Sequence, residues 1–238
     1  MSNGAVIEVE SLMFRWPSAD LPCLVIESLQ VSAGKRVFLF GPSGSGKSTL
    51  LALVGGVLTP QHGRIRVLDV ELSTLKSRAR DRFRVEHVGF IFQQFNLVPY
   101  LPVMENVLLP CRFSSTRAAR AIEADGTPVD AARRLLEGMH LGPTVQARPV
   151  TELSVGQQQR VAVARALIGR PELIIADEPT SSLDADAQQT FLELLLDECD
   201  RWATTLLFVS HNRQLASYFD REVNLPAINQ AQPVAVDS

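Results

Sequence analysis

The 238-residue sequence predicts an α/β fold: a mainly parallel sheet, a small antiparallel β subdomain ahead of it, and an inserted α-helical subdomain. Two observations set this class. The glycine-rich stretch Gly41-Pro42-Ser43-Gly44-Ser45-Gly46-Lys47-Ser48-Thr49 directly follows the apolar run Val37 to Phe40 and opens a leucine-rich helical segment. Val88 to Phe92, Leu173 to Ala176 and Thr205 to Val209 are near-continuous apolar runs, as expected of parallel strands buried on both faces.

The N-terminal part reads differently. Ile7 to Glu10, Leu24 to Ile26 and Leu29 to Val31 are short strand-like runs separated by Pro17, Pro22 and Gly34. Gly63 to Val67 alternates polar and apolar residues, which adds a strand to the same antiparallel sheet. From Glu105 to Leu153 the pattern turns helical, with Ala118 to Ala124 and Val129 to Met139 on either side of the turn Asp125-Gly126-Thr127-Pro128. The expected organisation is one domain over 1–225, with a helical subdomain inserted at about 94–165. Beyond it, 226–238 reads as an extended or mobile tail, since it holds Pro226 and Pro233 and has no periodicity.

Composition narrows the function. The net charge of −3 disfavours a broad electrostatic grip on nucleic acid or anionic lipid, so no nucleic-acid partner is expected. Met1-Ser2-Asn3-Gly4 lacks the basic and then apolar layout of a signal peptide, and the apolar run Leu50 to Leu58 is too short to span a bilayer. A soluble or peripheral chain is expected. Cys23, Cys111 and Cys199 are widely separated and lack ligand spacing, which fits reduced thiols in a cytosolic compartment.

The glycine-rich stretch fits G-x-x-x-x-G-K-[ST], the cradle that binds a nucleoside triphosphate. Its glycines let backbone N–H groups curl around phosphates, Lys47 reaches the β- and γ-oxygens, and Ser48 offers a hydroxyl to Mg²⁺. The following helix adds its positive N-terminal end. A merely flexible glycine-serine turn needs neither a lysine at that place nor a buried strand in front of it.

Asp177 and Glu178 stand at the carboxyl end of an apolar strand, where α/β sheets bind ligands. In enzymes built on this cradle one such acid holds Mg²⁺, and a second orients and deprotonates the attacking water. An isolated Asp-Glu pair before Pro179 reads instead as the cap and first turn of the next helix. Ser154, ahead of Val155, Gly156 and Gln157, is placed like the N-cap of an amphipathic helix through Leu167, a second candidate anion site or simply a well-capped helix.

Taken in order, the cradle, Phe92-Gln93-Gln94, Leu153 to Gln157, Asp177-Glu178, Ser182-Leu183-Asp184 and Ser210-His211 resemble the motif series of ATP-binding cassette (ABC) ATPases. The resemblance covers the chain up to about Leu225. It implies ATP hydrolysis with Mg²⁺, in a head-to-tail homodimer or pseudo-dimer with each nucleotide between one cradle and the Ser154 to Gln157 element of the other subunit. It implies roles for Lys47, Gln93, Glu178 and His211 in catalysis, and for Ser48, Gln93 and Asp177 at the metal. Trp16 falls where the family places an aromatic against adenine, although tyrosine is commoner there, and Asp184 helps couple the two sites. The family's signature usually reads Leu-Ser-Gly-Gly-Gln, and here Val155 replaces its first glycine. Valine keeps the backbone N–H but adds a branched side chain and disfavours positive φ.

The runs Gln93 to Pro99 and Glu105 to Pro110 resemble the lipoprotein-releasing and macrolide-exporter branch. That resemblance implies a motor for separate integral-membrane permease subunits, on the inner face of the cell membrane. Phe95, Leu97, Val98 and Tyr100 are then candidates for permease docking or for the lobe's own core. A regulatory cassette that signals to cell-wall enzymes during division has nearly the same motor sequence. A soluble cassette of DNA repair or translation would carry a long coiled-coil insertion or a second cassette, and neither is present.

Overall fold

The computed structural model describes residues 4–181 and 183–231. They form two compact units, one drawn from the described part of 1–81 and 207–238, the other from 82–206. The first opens with β1 (Ala5–Phe14), β2 (Leu24–Ser32), β3 (Arg36–Phe40), α1 (Lys47–Val54), β4 (His62–Val67) and β5 (Val70–Glu71). An antiparallel sheet takes the order β2-β1-β4-β5. Along β1, Ile7 and Val9 are fully buried, as are Leu12 and Phe14 but for a few per cent, so the inward phase changes between the two pairs, with Val6 buried as well at the strand's start. The change is a bulge: Ser11 has φ 45°, and the register with β4 shifts between Glu10 and Met13. Opposite it, Gly63 (φ 84°) lies so close that a Cβ there would stand 2.3 Å from the Ser11 carbonyl oxygen. The two predicted runs Leu24 to Ile26 and Leu29 to Val31 are one strand, because the ladder to β1 continues past the exposed Glu27 and Ser28, with Ser28 opposite Glu10 and Ile26 opposite Leu12.

α2 (Ser77–His87) leads into the second unit, which continues as β6 (Val88–Ile91), α3 (Val103–Phe113), α4 (Ser115–Asp125), α5 (Pro128–Gly138), α6 (Pro143–Gln146), α7 (Val155–Leu167), β7 (Leu173–Asp177) and α8 (Ala185–Trp202). β6 and β7 pair in parallel, Val88 opposite Leu173 and Ile91 opposite Ala176. Helices α3 to α6 fall within the span read as a helical subdomain. The turn between α4 and α5 follows its sequence: Gly126 takes φ 85°, the Thr127 side chain accepts the Asp130 N–H as N-cap, and Pro128 occupies the first turn.

α3 packs against α4, α5 and α7. Among them Arg117 is 1% exposed, and its guanidinium donates to the carbonyls of Val88 (2.8 Å), Ala166 (3.1 Å) and Ile168 (3.0 Å). Burial pulls its pKa down to about 10, which leaves it a cation at neutral pH. None of the three cysteines forms a disulfide, and burial pushes the Cys111 thiol up to about 11.

β8 (Thr205–Val209) carries the chain back to the first unit, followed by β9 (Arg221–Asn224) and α9 (Leu225–Ile228). β9 pairs in parallel with β3, from Val37 opposite Arg221 to Phe40 opposite Asn224. Phe38, Phe208 and Phe219 fill the core beside them, with ring centroids 5.1–6.2 Å apart. The predicted tail departs from expectation over its first residues. Leu225 is fully buried, 225–228 are helical, and Asn229 bridges to Ile26. Proline at the first turn of a helix costs no hydrogen bond, so Pro226 starts a helix here. Residues 232–238 lie outside the described residues.

Glu172, just before β7, gathers an ion-pair cluster in the second unit. Arg120 grips its carboxylate at 2.5 and 2.9 Å, and His87 Nδ1 lies 3.1 Å from both oxygens. Burial alone would raise the carboxyl, but the hydrogen bonds from His87 and Arg120 outweigh it and hold the pKa at about 2. A folded-state pKa below the ordinary 4.5 means stability that is complete above 4.5 and lost as pH falls towards 2. Glu172→Gln is therefore expected to lower stability at pH 7 in urea unfolding, with the gap to the parent narrowing as pH is taken from 5 to 3; a constant gap would contradict this account.

Candidate functional site

In the first unit the chain leaves β3 and must enter α1 within a few residues. Gly44 (φ 77°) and Gly46 (φ 97°) make the turn, in a backbone region that other residues occupy at a cost. Gly46 is also the N-cap of α1, so no side chain covers the first N–H groups, and the first turn holds no acid to compete for them. Lys47 is 9% exposed, and its Nζ folds back to donate to the carbonyls of Gly41 (2.8 Å) and Pro42 (2.9 Å). Ser43 and Ser48 are exposed, and Thr49 is half-buried. The Ser45 hydroxyl is buried without a hydrogen-bond partner. An orphaned hydroxyl, a tethered amine and bare helix N–H groups in one loop suit a polyphosphate, which accepts from all three.

Trp16 stands at a turn closed by the Ala19 N–H on its carbonyl (3.0 Å) and anchored by Gln61, which bonds both the N–H and carbonyl of Arg15. Its ring meets Phe14 edge to face at 5.2 Å and is 41% exposed, so an aromatic surface is open to a flat ligand. His211 is exposed after β8. The buried Ser210 hydroxyl beside it accepts the Asn212 N–H at 3.1 Å.

In the second unit β7 ends at Asp177, half-buried, and Glu178, 8% exposed with φ 48°. Neither acid caps a helix: α8 begins at Ala185, and Asp184 is its cap, accepting the Ala187 N–H at 2.8 Å. The capping alternative for the acid pair falls away, and the left-handed Glu178 is the kind of backbone outlier that gathers at functional positions. Ser182 lies outside the described residues. Ser154 caps α7 in a reciprocal box with Gln157, the serine hydroxyl accepting at 3.3 Å and the glutamine oxygen at 3.0 Å. Val155 is the first helical residue, 49% exposed and without a positive φ, so a branched side chain is accommodated there. A Cβ on Gly156 would meet nothing within 4 Å. Gln159, fully buried on α7, donates to the Pro179 carbonyl and so ties the signature helix to the segment after Glu178.

Sequence reasoning missed the supports of the glutamine loop. Gln93 is exposed beyond β6, and the loop continues through Phe95 (φ 57°) and Asn96 (φ 50°). Arg165 on α7 donates to both of their carbonyls at 2.6 Å. Fully buried Asn106 holds the next stretch, accepting from Val98 N–H at 2.8 Å and donating to the Val98 and Leu101 carbonyls. The only sequence signal was an arginine and an asparagine amid apolar helix positions.

Fold and site define a phosphate-loop ATPase. The chain belongs to the ABC transporter family, whose model matches residues 26–181. The lipoprotein-releasing system ATP-binding protein LolD of Pseudomonas fluorescens is 37% identical over 227 residues, covering 94% of this chain and 96% of that protein. The macrolide export ATP-binding/permease protein MacB of Rhodopirellula baltica is 38% identical over 213 residues, and there the match covers 89% of this chain but only 30% of the longer protein. The dimeric post-hydrolysis structure of the ATP-binding cassette MJ0796 bound to ADP and Pi superposes with a TM-score of 0.78 at 29% identity, over 95% of this chain and 97% of that one.

Since Val155 sits in a helical turn, returning it to glycine changes little in the backbone. Val155→Gly is expected to hydrolyse ATP within about tenfold of the parent. An inactive parent beside a strongly active glycine variant would show that valine disables the site.

Proposed function

We propose that this chain is the ATP-hydrolysing motor of a membrane transporter, and that two cassettes close around ATP and part after hydrolysis. The observation that carries the reading is the phosphate loop itself, with Lys47, Ser45 and the open start of α1 on one short turn. The near full-length likeness to a lipoprotein-releasing ATP-binding protein supports the transport branch.

Lys47 neutralises phosphate charge, and the loop N–H groups orient the chain of phosphates for in-line attack. Trp16 stacks on the base. Glu178, just past the end of β7, takes the proton of the attacking water, and His211 steadies the γ-phosphate. Ser154, Val155, Gly156 and Gln157 present the α7 N-terminus to the nucleotide of the opposite subunit, and Asp184 links the two sites. Ser48, Gln93 and Asp177 would hold Mg²⁺, which supplies charge neutralisation on the phosphate oxygens.

No helix among the described residues is long and apolar enough to cross a membrane, so attachment to the inner face of the cell membrane would run through a permease. A cavity of about 300 Å³ in the second unit suits that contact. Its walls include Phe90 and Phe92, stacked at 5.3 Å, with Leu109, Pro110 and Phe113. Phe113 is 76% exposed, and Tyr100, in the loop ahead of α3, 82%, an unusual display for large aromatics on a water-facing surface.

Glu178→Gln is expected to bind ATP like the parent while steady-state hydrolysis falls by about a hundredfold or more, leaving a dimer that gel filtration detects in ATP. Undiminished turnover would remove Glu178 from its role. Phe113→Asp is expected to abolish copurification of an integral-membrane subunit from detergent-solubilised membranes and to leave the ATPase rate of the isolated subunit unchanged. Retained copurification would remove this cavity from the contact.

A further inference from the structure

The segment after β9 touches the first glycine of the phosphate loop and holds the stretch against which the loop's other end packs. Pro226 stands so close to the loop's first glycine that a Cβ on Gly41 would be 2.9 Å from its Cδ. Asn229 binds the start of β2 with its whole amide: Oδ1 accepts the Val25 N–H at 2.8 Å, and Nδ2 donates to the Cys23 carbonyl at 3.0 Å. The Gln230 N–H adds a bond to the Val25 carbonyl at 2.7 Å. The stretch fixed in this way is the wall on which the far end of the loop rests. A Cβ on Gly46 would lie 2.7 Å from Leu24 Cδ2 and 3.4 Å from the Cys23 carbonyl.

We infer that Pro226 and Asn229 are positioning residues for the triphosphate, bracing the phosphate loop at Gly41 and, through Cys23 and Leu24, at Gly46. Neither side chain needs to touch nucleotide. The loop binds phosphate with N–H groups whose directions follow its backbone, so its spacing sets the quality of every bond it makes. A carboxamide is the side chain suited to the second brace, since it accepts from one backbone N–H and donates to a nearby carbonyl at once. Aspartate keeps only the acceptor, and leucine keeps neither. The inference rests on the reading of the loop as an ATP site.

The test measures dissociation of a fluorescent ATP analogue, ATP turnover, and thermal unfolding without nucleotide, for the parent, Asn229→Asp, Asn229→Leu and Pro226→Ala. The dissociation constant and KM are expected to rise about tenfold in Asn229→Leu and about threefold in Asn229→Asp and Pro226→Ala, with kcat within about twofold of the parent. Variants that bind nucleotide as tightly as an ATP-binding parent overturn the inference, whatever their unfolding temperatures, because a merely structural brace would lower the latter alone. A parent that binds no ATP overturns the ATP-site reading, and the inference with it. If Asn229→Leu does not fold, Asn229→Asp and Pro226→Ala are judged by the same outcomes.

Discussion

The left-handed turn at Gly46 is the constraint from which the nucleotide site follows. At φ 97° it aims the chain from the loop into α1 with the helix's first N–H groups uncovered, and the backbone then leaves Lys47 buried at the loop's own carbonyls. A side chain at Gly46 would strike Leu24, so conformation and packing both demand glycine there. The cost is an ill-satisfied loop, with bare donors and an orphaned Ser45 hydroxyl. A polyphosphate offers acceptors to all of them, which is why affinity and loop geometry cannot be varied separately.

The second unit fastens its loops with arginines and an asparagine bonded to backbone groups. Arg117 joins the carbonyls of β6 and of the turn after α7, while Arg165 and Asn106 hold the loop beyond Gln93. Replacing either arginine with an apolar residue would strand two or three carbonyls, a larger loss than one ordinary hydrogen bond. Lysine would lack the planar fork that reaches several acceptors together. Such positions carry charge for structural reasons, and their place in a mostly apolar setting does not make them part of the chemistry.

Much of this was legible in the amino-acid order. Apolar runs gave the parallel strands, and Gly126, Thr127 and Pro128 marked the α4–α5 turn, because these signals are local. Other features depended on distant partners. Glu27 and Ser28 interrupt β2 as a pattern but not as a strand, since the ladder to β1 continues past them. The helix at 225–228 was hidden by proline, and its anchoring by Asn229 spans more than two hundred residues of chain. For the candidate site, the phosphate loop and the acid pair were evident from spacing. Arg165, Asn106 and the Gln159 bond to Pro179 were not, because a single polar residue on a helix carries no mark of the loop it serves.

The grip of Arg165 on Phe95 and Asn96 has a mechanical consequence. Ser154 begins α7 and Arg165 stands near its other end, about 16 Å away at the rise of an α-helix. A hydrogen-bonded rod of that length is stiff along its axis. The Ser154 end of the helix and the backbone next to Gln93 are thus joined by one unbroken run of helical hydrogen bonds and the Arg165 fork.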